Sequence, residues 1–297
     1  HAPRFEGQEK ELILETLEST FVSSVGMCVE QFEEDIARYT GAQFAVAVSS
    51  GTAALHTALH AVGVVQHDEV ITTPLTFVAT CNAISYCGAR PVFVDIDPST
   101  CNIDPDKIEK AITKKTKAIM PVHLTGRIAE MNEIMRISQK YGIPVIEDAA
   151  QSINSKYFGK KSGSFGEIGC FSAHPLKNLN ACGDSGFITT NSYSFYKKTL
   201  SMRNHGLVDR NLVKKFGFLS RMDVLQAAIL NFRIKNLNKV ISARRKNAKF
   251  YLKNIDRKKY LLIDEKDYQF NTYHTFVIQT KNRDKLIKHL KSKGIGS

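Results

Sequence analysis

Ala45-Val46-Ala47-Val48-Ser49-Ser50-Gly51-Thr52-Ala53-Ala54-Leu55 is the stretch that decides the fold. Four small or branched apolar residues read as a buried strand, Ser49 to Thr52 as a tight turn, and Ala53 to Val62 as a helix with Leu55, Leu59 and Val62 on one face. A helix N-terminus after a small-residue loop offers free N–H groups and the positive end of a dipole. Gly51 lets backbone approach an anion such as phosphate. The same Ser-Gly-Thr is also an ordinary helix cap. Working outward, apolar runs recur at Val70–Pro74, Pro91–Asp95, Ala118–Val122 and Pro144–Asp148, separated by stretches of helical length such as Ile128–Tyr141. That alternation predicts an α/β fold: a mostly parallel central sheet with crossover helices. Ligands in such sheets sit at the carboxyl ends of strands, where Ser50, Phe77 and Asp148 fall.

The chemistry of those ends is specific. Lys177 stands in Cys170-Phe171-Ser172-Ala173-His174-Pro175-Leu176-Lys177-Asn178, downstream of the strand-end pair Glu147-Asp148. An amine able to form a Schiff base and a carboxylate able to keep a pyridine nitrogen protonated are what pyridoxal phosphate (PLP) requires of a protein. Alone, a lysine is most often a solvated surface residue and an Asp after a strand a helix cap. Phe77, at the mouth of the helix that runs to Cys87, offers a ring face to an aromatic cofactor, although phenylalanine is usually plain core.

In order and spacing the chain resembles the DegT/StrS-type sugar-nucleotide aminotransferases, among the fold-type-I PLP enzymes. The resemblance runs through Thr20–Gly26, Ser49–His56, Thr76–Thr80, Pro121–Gly126, Glu147–Ser152, the Lys177 segment, Gly183–Gly186 and Ser220–Ala228. It implies that Lys177 is the catalytic Schiff-base lysine and proton carrier. It further implies that Asp148 pairs with the pyridinium, Gln151 contacts the ring hydroxyl, Phe77 stacks on the ring, and Gly51, Thr52 and Ser172 hold the phosphate. Related chains with histidine at the Lys177 position are dehydratases, so lysine favours transamination. One departure stands out: the family's usual phosphate-contacting asparagine, which reaches the neighbouring subunit, is Leu219 here. A leucine has no donor. Either Ser220 or Arg221 replaces that contact, or the phosphate has one donor fewer.

The resemblance implies transfer of an amino group from glutamate to a nucleotide-linked keto-deoxysugar, by a homodimer. The Thr20–Gly26 and His123–Gly126 segments look most like relatives acting on 4-keto-6-deoxy-N-acetylhexosamine nucleotides for legionaminic-acid-like surface polysaccharide. Rival readings are another fold-type-I enzyme acting on an amino acid, and a non-catalytic regulator on the same fold.

Composition bounds these readings. With 297 residues, 43% hydrophobic, the chain can bury a large core. A large PLP-binding domain (1–235) and a smaller, incomplete C-terminal α/β domain (236–297) are expected, the latter with a strand at Tyr273–Gln279 and a helix at Arg283–Lys293. The helical stretch from Met222 to about Asn254, with an apolar stripe at Met222, Leu225, Ile229 and Phe232, reads equally as the seam between them and as one long surface helix. From Lys197 onward 25 Lys and Arg face 7 Asp and Glu, a balance of +18, against −6 for residues 1–196. Arg244-Arg245-Lys246 and Arg257-Lys258-Lys259 read as solvated helix faces, and no nucleic-acid motif accompanies them, so no nucleic-acid partner is expected. The basic third also suits a nucleotide-sugar diphosphate. The six cysteines show neither Cys-x-x-Cys nor metal-ligand spacing, which predicts a reducing compartment and no structural metal. No stretch reaches membrane-span length and no signal peptide opens the chain, so a cytoplasmic enzyme without a membrane partner is expected.

Overall fold

The segment quoted above folds as β1 (Phe44–Val48) running into α3 (Gly51–Ala61). Side chains of β1 alternate between two cores. Ala45 and Ala47 face one that contains Phe32, Phe171 and Phe187, and Val46 and Val48 face another that contains Leu55, Leu59 and Ile84. A strand covered on both faces reads as a continuous apolar run. The structure is a computed structural model and describes residues 7–20, 22 and 26–296.

Helices α1 (Glu9–Glu18) and α2 (Met27–Thr40) precede β1. After α3 come β2 (Glu69–Thr72), α4 (Ala79–Tyr86), β3 (Arg90–Phe93), α5 (Pro105–Ala111), β4 (Thr116–Ile119), α6 (Met131–Tyr141) and β5 (Ile146–Asp148). A small ladder, β6 (Lys156–Tyr157) and β7 (Lys160–Lys161), leads to β8 (Ile168–Ser172), β9 (Gly186–Thr190), α7 (Tyr193–Arg203), β10 (Leu207–Asp209) and β11 (Leu212–Val213). The chain closes with α8 (Val224–Asn254), β12 (Gln269–Phe270) and α9 (Arg283–Ser292).

Ladders β3-β2-β4 and β5-β8-β9-β1 are joined by parallel bridges Ile119–Val145 and Val122–Asp148. The order is therefore β3-β2-β4-β5-β8-β9-β1. Every pairing in it is parallel except those of β9, which runs antiparallel to both β8 and β1. The expected mostly parallel sheet is present, and β9 is the strand the periodicity reading did not foresee. Phe171 stacks on Phe187 at 4.6 Å and Phe32 meets Phe187 edge-on at 5.7 Å. Such pairs add about 0.5–1.5 kcal/mol each beyond their buried area.

Helix α8 is continuous across residue 235, over 31 residues. Its buried stripe is Ala227, Leu230, Ile234, Leu237 and Ile241, packed with α2 and the sheet; Leu225 and Phe232 are only half-buried. The stripe predicted at Met222, Leu225, Ile229 and Phe232 is thus turned partly off the core.

Two expectations for the C-terminal third are corrected. Tyr273–Gln279 forms no strand; only Gln279 bridges, to Leu261. The carbonyls of Tyr273 and His274 accept from the Arg244 guanidinium, which takes the place of a partner strand. For the same reason Arg244 and Arg245 are not a solvated face. Arg245 is half-buried, donates to Glu265 and to the Asn271 carbonyl, and stacks 4.0 Å over Phe270. Arg257, Lys258 and Lys259 are exposed, as expected. Among the described residues no helix is long and apolar enough to cross a membrane.

Candidate active site

The carboxyl ends of β1, β5 and β8 converge with the amino ends of α3 and α4. At α3, the Ser50 hydroxyl accepts from the Ala53 N–H (3.0 Å) and the Ser50 carbonyl from that of Ala54 (3.0 Å). The N–H groups of Gly51 and Thr52, ahead of the first intrahelical bond, are left to an anion. Two glycines make the approach possible. A Cβ on Gly51 would lie 2.7 Å from Ser172 Cβ, and one on Gly186 would lie 2.5 Å from the Ser50 backbone. The end of β8 therefore sits against the first turn of α3, with the Ser172 hydroxyl beside it. Ser220 closes the other side: its carbonyl accepts from the Ser49 N–H (2.9 Å). Leu219 points outward, 63% exposed, while the neighbouring Arg221 keeps a buried Nε with no partner.

Asp148 ends β5 and is buried. Its Oδ2 accepts from the Thr80 hydroxyl (2.7 Å) and Oδ1 from the Ala150 N–H (3.2 Å). Thr80 also exchanges a hydrogen bond with Thr76 (2.7 Å). Burial pushes the Asp148 carboxyl above the usual range, opposed by the Thr80 and Ala150 bonds and then by Lys177 and His123 nearby. A buried carboxylate held by neutral donors gains most from a cation placed against it, which is what a protonated pyridine nitrogen is.

The adjacent Glu147 faces the opposite side and is fully buried. It accepts from the N–H groups of Gly163 (2.7 Å), Phe165 (2.6 Å) and Gly166 (2.9 Å) and from His123 Nε2 (2.9 Å). Since His123 Nδ1 accepts from the Ala129 N–H (3.3 Å), the ring proton is assigned to Nε2. This anchor holds the end of β5, and hence Asp148, in place. Sequence reading left His123 isolated, because its partner is two strands' worth of chain away.

Lys177 is carried on a loop between β8 and β9, pinched shut where Ala173 donates to the Ser185 carbonyl (2.7 Å) and accepts from Ala181 (2.8 Å). Burial lowers the Lys177 pKa, and the Asp148 charge opposes this. A larger fraction of neutral amine follows, the form that attacks an aldehyde. The Gln151 carbonyl oxygen accepts from the Thr125 N–H (2.7 Å), which leaves its NH₂ to donate to a ligand. Phe77 lies one turn before Thr80 and is 70% exposed, its ring face available. The Thr20–Gly26 segment lies partly outside the described residues, at 21 and 23–25.

Beyond Lys177 opens a cleft of ≈ 980 Å³ lined by Asn180, Phe232, Lys239, Arg244 and His274. The His274 pKa is drawn down to about 3, first by burial and then by Lys177, Arg244 and His174. A cleft where positive groups repel one another's protons favours an anionic guest.

An amine and a buried carboxylate gathered with the amino ends of two helices at the carboxyl ends of β1, β5 and β8 define an enzyme of the fold-type-I PLP class. More narrowly, the chain belongs to the DegT/DnrJ/EryC1/StrS aminotransferase family, whose model matches residues 3–297. It is a PLP-dependent sugar aminotransferase. It is 42% identical over 296 residues to the "Pleiotropic regulatory protein" of Geobacillus stearothermophilus, covering 98% of this chain and 80% of that one. To the GDP-perosamine synthase of Escherichia coli O157:H7 it is 39% identical over 298 residues, 99% of this chain and 81% of the relative. Among solved structures it resembles NtdA of Bacillus subtilis with bound cofactor PMP, with a TM-score of 0.86 at 35% identity, over 97% of this chain and 68% of that one.

Proposed function

We propose that the enzyme moves an amino group from glutamate to the keto carbon of a nucleotide-linked 4-keto-6-deoxy-N-acetylhexosamine, in the cytoplasm, on the way to a surface polysaccharide. The observation that carries this reading is the basic cleft opening directly onto Lys177. Its ≈ 980 Å³ is at the upper end of the about 300–1,000 Å³ typical of small-ligand sites and suits a ligand as long as a nucleotide sugar. The name of the Escherichia coli relative supports a nucleotide-linked sugar as substrate.

PLP, when bound, supplies the electron sink that stabilises charge on the reacting carbon. The chain's own residues do the rest. Asp148 would keep the ring nitrogen protonated, Gln151 would donate to the ring oxygen, and Phe77 would cover a ring face. The N–H groups of Gly51 and Thr52 and the Ser172 hydroxyl bind the phosphate dianion. Lys177 Nζ, made less basic by burial, would carry the proton that the former keto carbon of the sugar must gain as it becomes the amine-bearing carbon. In this reading residues 1–235 form the cofactor domain and 236–297 a smaller domain, with α8 shared between them. The large exposed apolar side chains Phe216 and Leu219 support a homodimer that covers them.

A regulator without turnover, which the name of the Geobacillus relative brings forward, has no need of a half-buried Lys177 beside a buried Asp148. The test is turnover by the PLP-loaded protein with glutamate and a panel of 3-keto and 4-keto sugars linked to GDP, UDP or dTDP. Amino sugar and 2-oxoglutarate are expected with a 4-keto substrate. Turnover of 3-keto substrates alone overturns the regiochemistry, and silence on the whole panel overturns the reading.

A further inference from the structure

Helix α3 carries a second set of functional groups on its far half. His56 Nε2 and His60 Nε2, one turn apart, are 3.1 Å from each other. With Cys87 Sγ, at the carboxyl end of α4, these atoms all lie within 4.8 Å of one another. Phe218 packs over both imidazoles, with ring centroids at 4.3 Å and 5.1 Å, and Tyr86 meets His56 edge-on at 5.8 Å. Cys87 is buried, its thiol bonded only to the Ala83 carbonyl one turn back, at 3.4 Å. The cysteine spacing in the sequence hides this set, because only the packing of α3 on α4 brings Cys87 to the histidines.

The geometry is close to that of a tetrahedral metal centre. With Zn–N of about 2.0–2.1 Å and Zn–S of about 2.3 Å, two ligand nitrogens stand about 3.3–3.4 Å apart and nitrogen and sulfur about 3.6 Å. The His56–His60 separation is a few tenths of an ångström short of that, and the sulfur, within 4.8 Å of both nitrogens, has about an ångström or less to move. Two nitrogens aimed at one point require a proton or a cation between them. Two imidazoles and one thiolate suit Zn²⁺ and exclude the oxygen-seeking Mg²⁺ and Ca²⁺.

We propose that His56 Nε2, His60 Nε2 and Cys87 Sγ bind one Zn²⁺ per chain, with water as fourth ligand, clipping the far ends of α3 and α4 together. On binding, the Cys87 proton leaves to solvent and the sulfur–metal bond forms. Both helices point their amino ends at the cofactor pocket, α3 with Gly51 and Thr52, α4 with Phe77 and Thr80. A clip at the opposite ends fixes their mutual angle without touching the reacting atoms.

The test is calorimetric titration of tag-free, chelator-stripped holoenzyme with Zn²⁺, with Co²⁺ as a spectroscopic substitute read in the red, clear of the cofactor. One Zn²⁺ per chain and tetrahedral Co²⁺ bands are expected. His60→Gln and Cys87→Ser should each weaken Zn²⁺ binding by more than about tenfold, the loss that even outer-shell changes produce. The cofactor absorption should stay intact in both. If Cys87→Ser does not fold, His60→Gln gives the same readout at a half-buried position. No binding, or binding undiminished in the folded variants, overturns the site and leaves an aromatic-covered His–His hydrogen bond.

Discussion

The pocket edge and the C-terminal third are held together by different means. Around Asp148 and Lys177 the backbone itself is packed close. Gly51 against Ser172 and Gly186 against Ser50 leave no room for a methyl group, and the polar groups are satisfied by neighbouring strands and helix starts. In the C-terminal third, guanidinium groups do that work. Arg127 donates to Gln269 and to the carbonyls of Ile263 and Asp264, Arg244 to those of Tyr273 and His274, and Arg245 to Glu265 and Asn271. Helix α9 buries none of its residues. The first region is rigid because strands fix it. The second is tethered by side chains, which suits an element that must admit a long ligand to the cleft.

The contrast implies that damage at the pocket edge removes chemistry and spares the fold, while damage to the tethers does the reverse. Lys177→Ala is the sharpest case. With its amine gone, turnover should fall by about 10⁴-fold or more, and the visible absorption of the bound cofactor should vanish. Unfolding followed by circular dichroism should stay near wild type, since Lys177 is only half-buried and its amine makes no hydrogen bond among the described residues. Asp148→Asn keeps the Thr80 contact but removes the charge. The visible absorption should persist while kcat falls by about 10²–10³-fold, the scale of losing one electrostatic contact made in the transition state. A rate near wild type would mean that the buried carboxylate is not the counter-ion of the ring.

Arg127→Leu probes the other region. Buried at 4% exposure, Arg127 ties the end of its loop to three acceptors in the C-terminal third. Leucine fills part of the space and leaves those acceptors unpaired, at about 1–3 kcal/mol for each one that water cannot reach. A loss of about 2–4 kcal/mol in urea unfolding is expected. Cofactor absorption in the folded fraction should be unchanged. If absorption and stability fell together, the two regions would be one cooperative unit and the comparison would fail.

Legibility in the sequence follows the same division. β1, β2 and β5 are buried on both faces, so Ala45–Val48 and Pro144–Asp148 announce themselves, and the pocket residues lie at or just past strand ends. The readings at Gly51 and Asp148 rest on local patterns of strand, turn and helix start, whereas Ser172 enters only through the family resemblance. β9 was not readable, because Gly186-Phe187-Ile188-Thr189-Thr190 has no alternation to mark it and its direction depends on the loop that carries Lys177. Nor were the roles of His123, Arg127, Arg244 and Arg245. A buried arginine and a solvated one look alike until the carbonyls they meet are placed, and those come from segments more than twenty residues away or from the far side of the molecule.

Phe77→Ala is the mildest test and the one that discriminates most finely. A core phenylalanine truncated to alanine costs about 3–5 kcal/mol of stability. Phe77 is 70% exposed, so its removal from the chain without cofactor should cost almost nothing in folding. If its ring covers the cofactor, the loss should appear only in the loaded protein. Cofactor affinity should weaken by about 0.5–1.5 kcal/mol, roughly twofold to tenfold, measured by dialysis against decreasing PLP. Exposure alone does not separate a stacking ring from a ring buried against a second copy of the chain. Dilution does: a stacking role gives the same affinity ratio at every protein concentration, whereas an interface role makes the ratio grow as the protein is diluted.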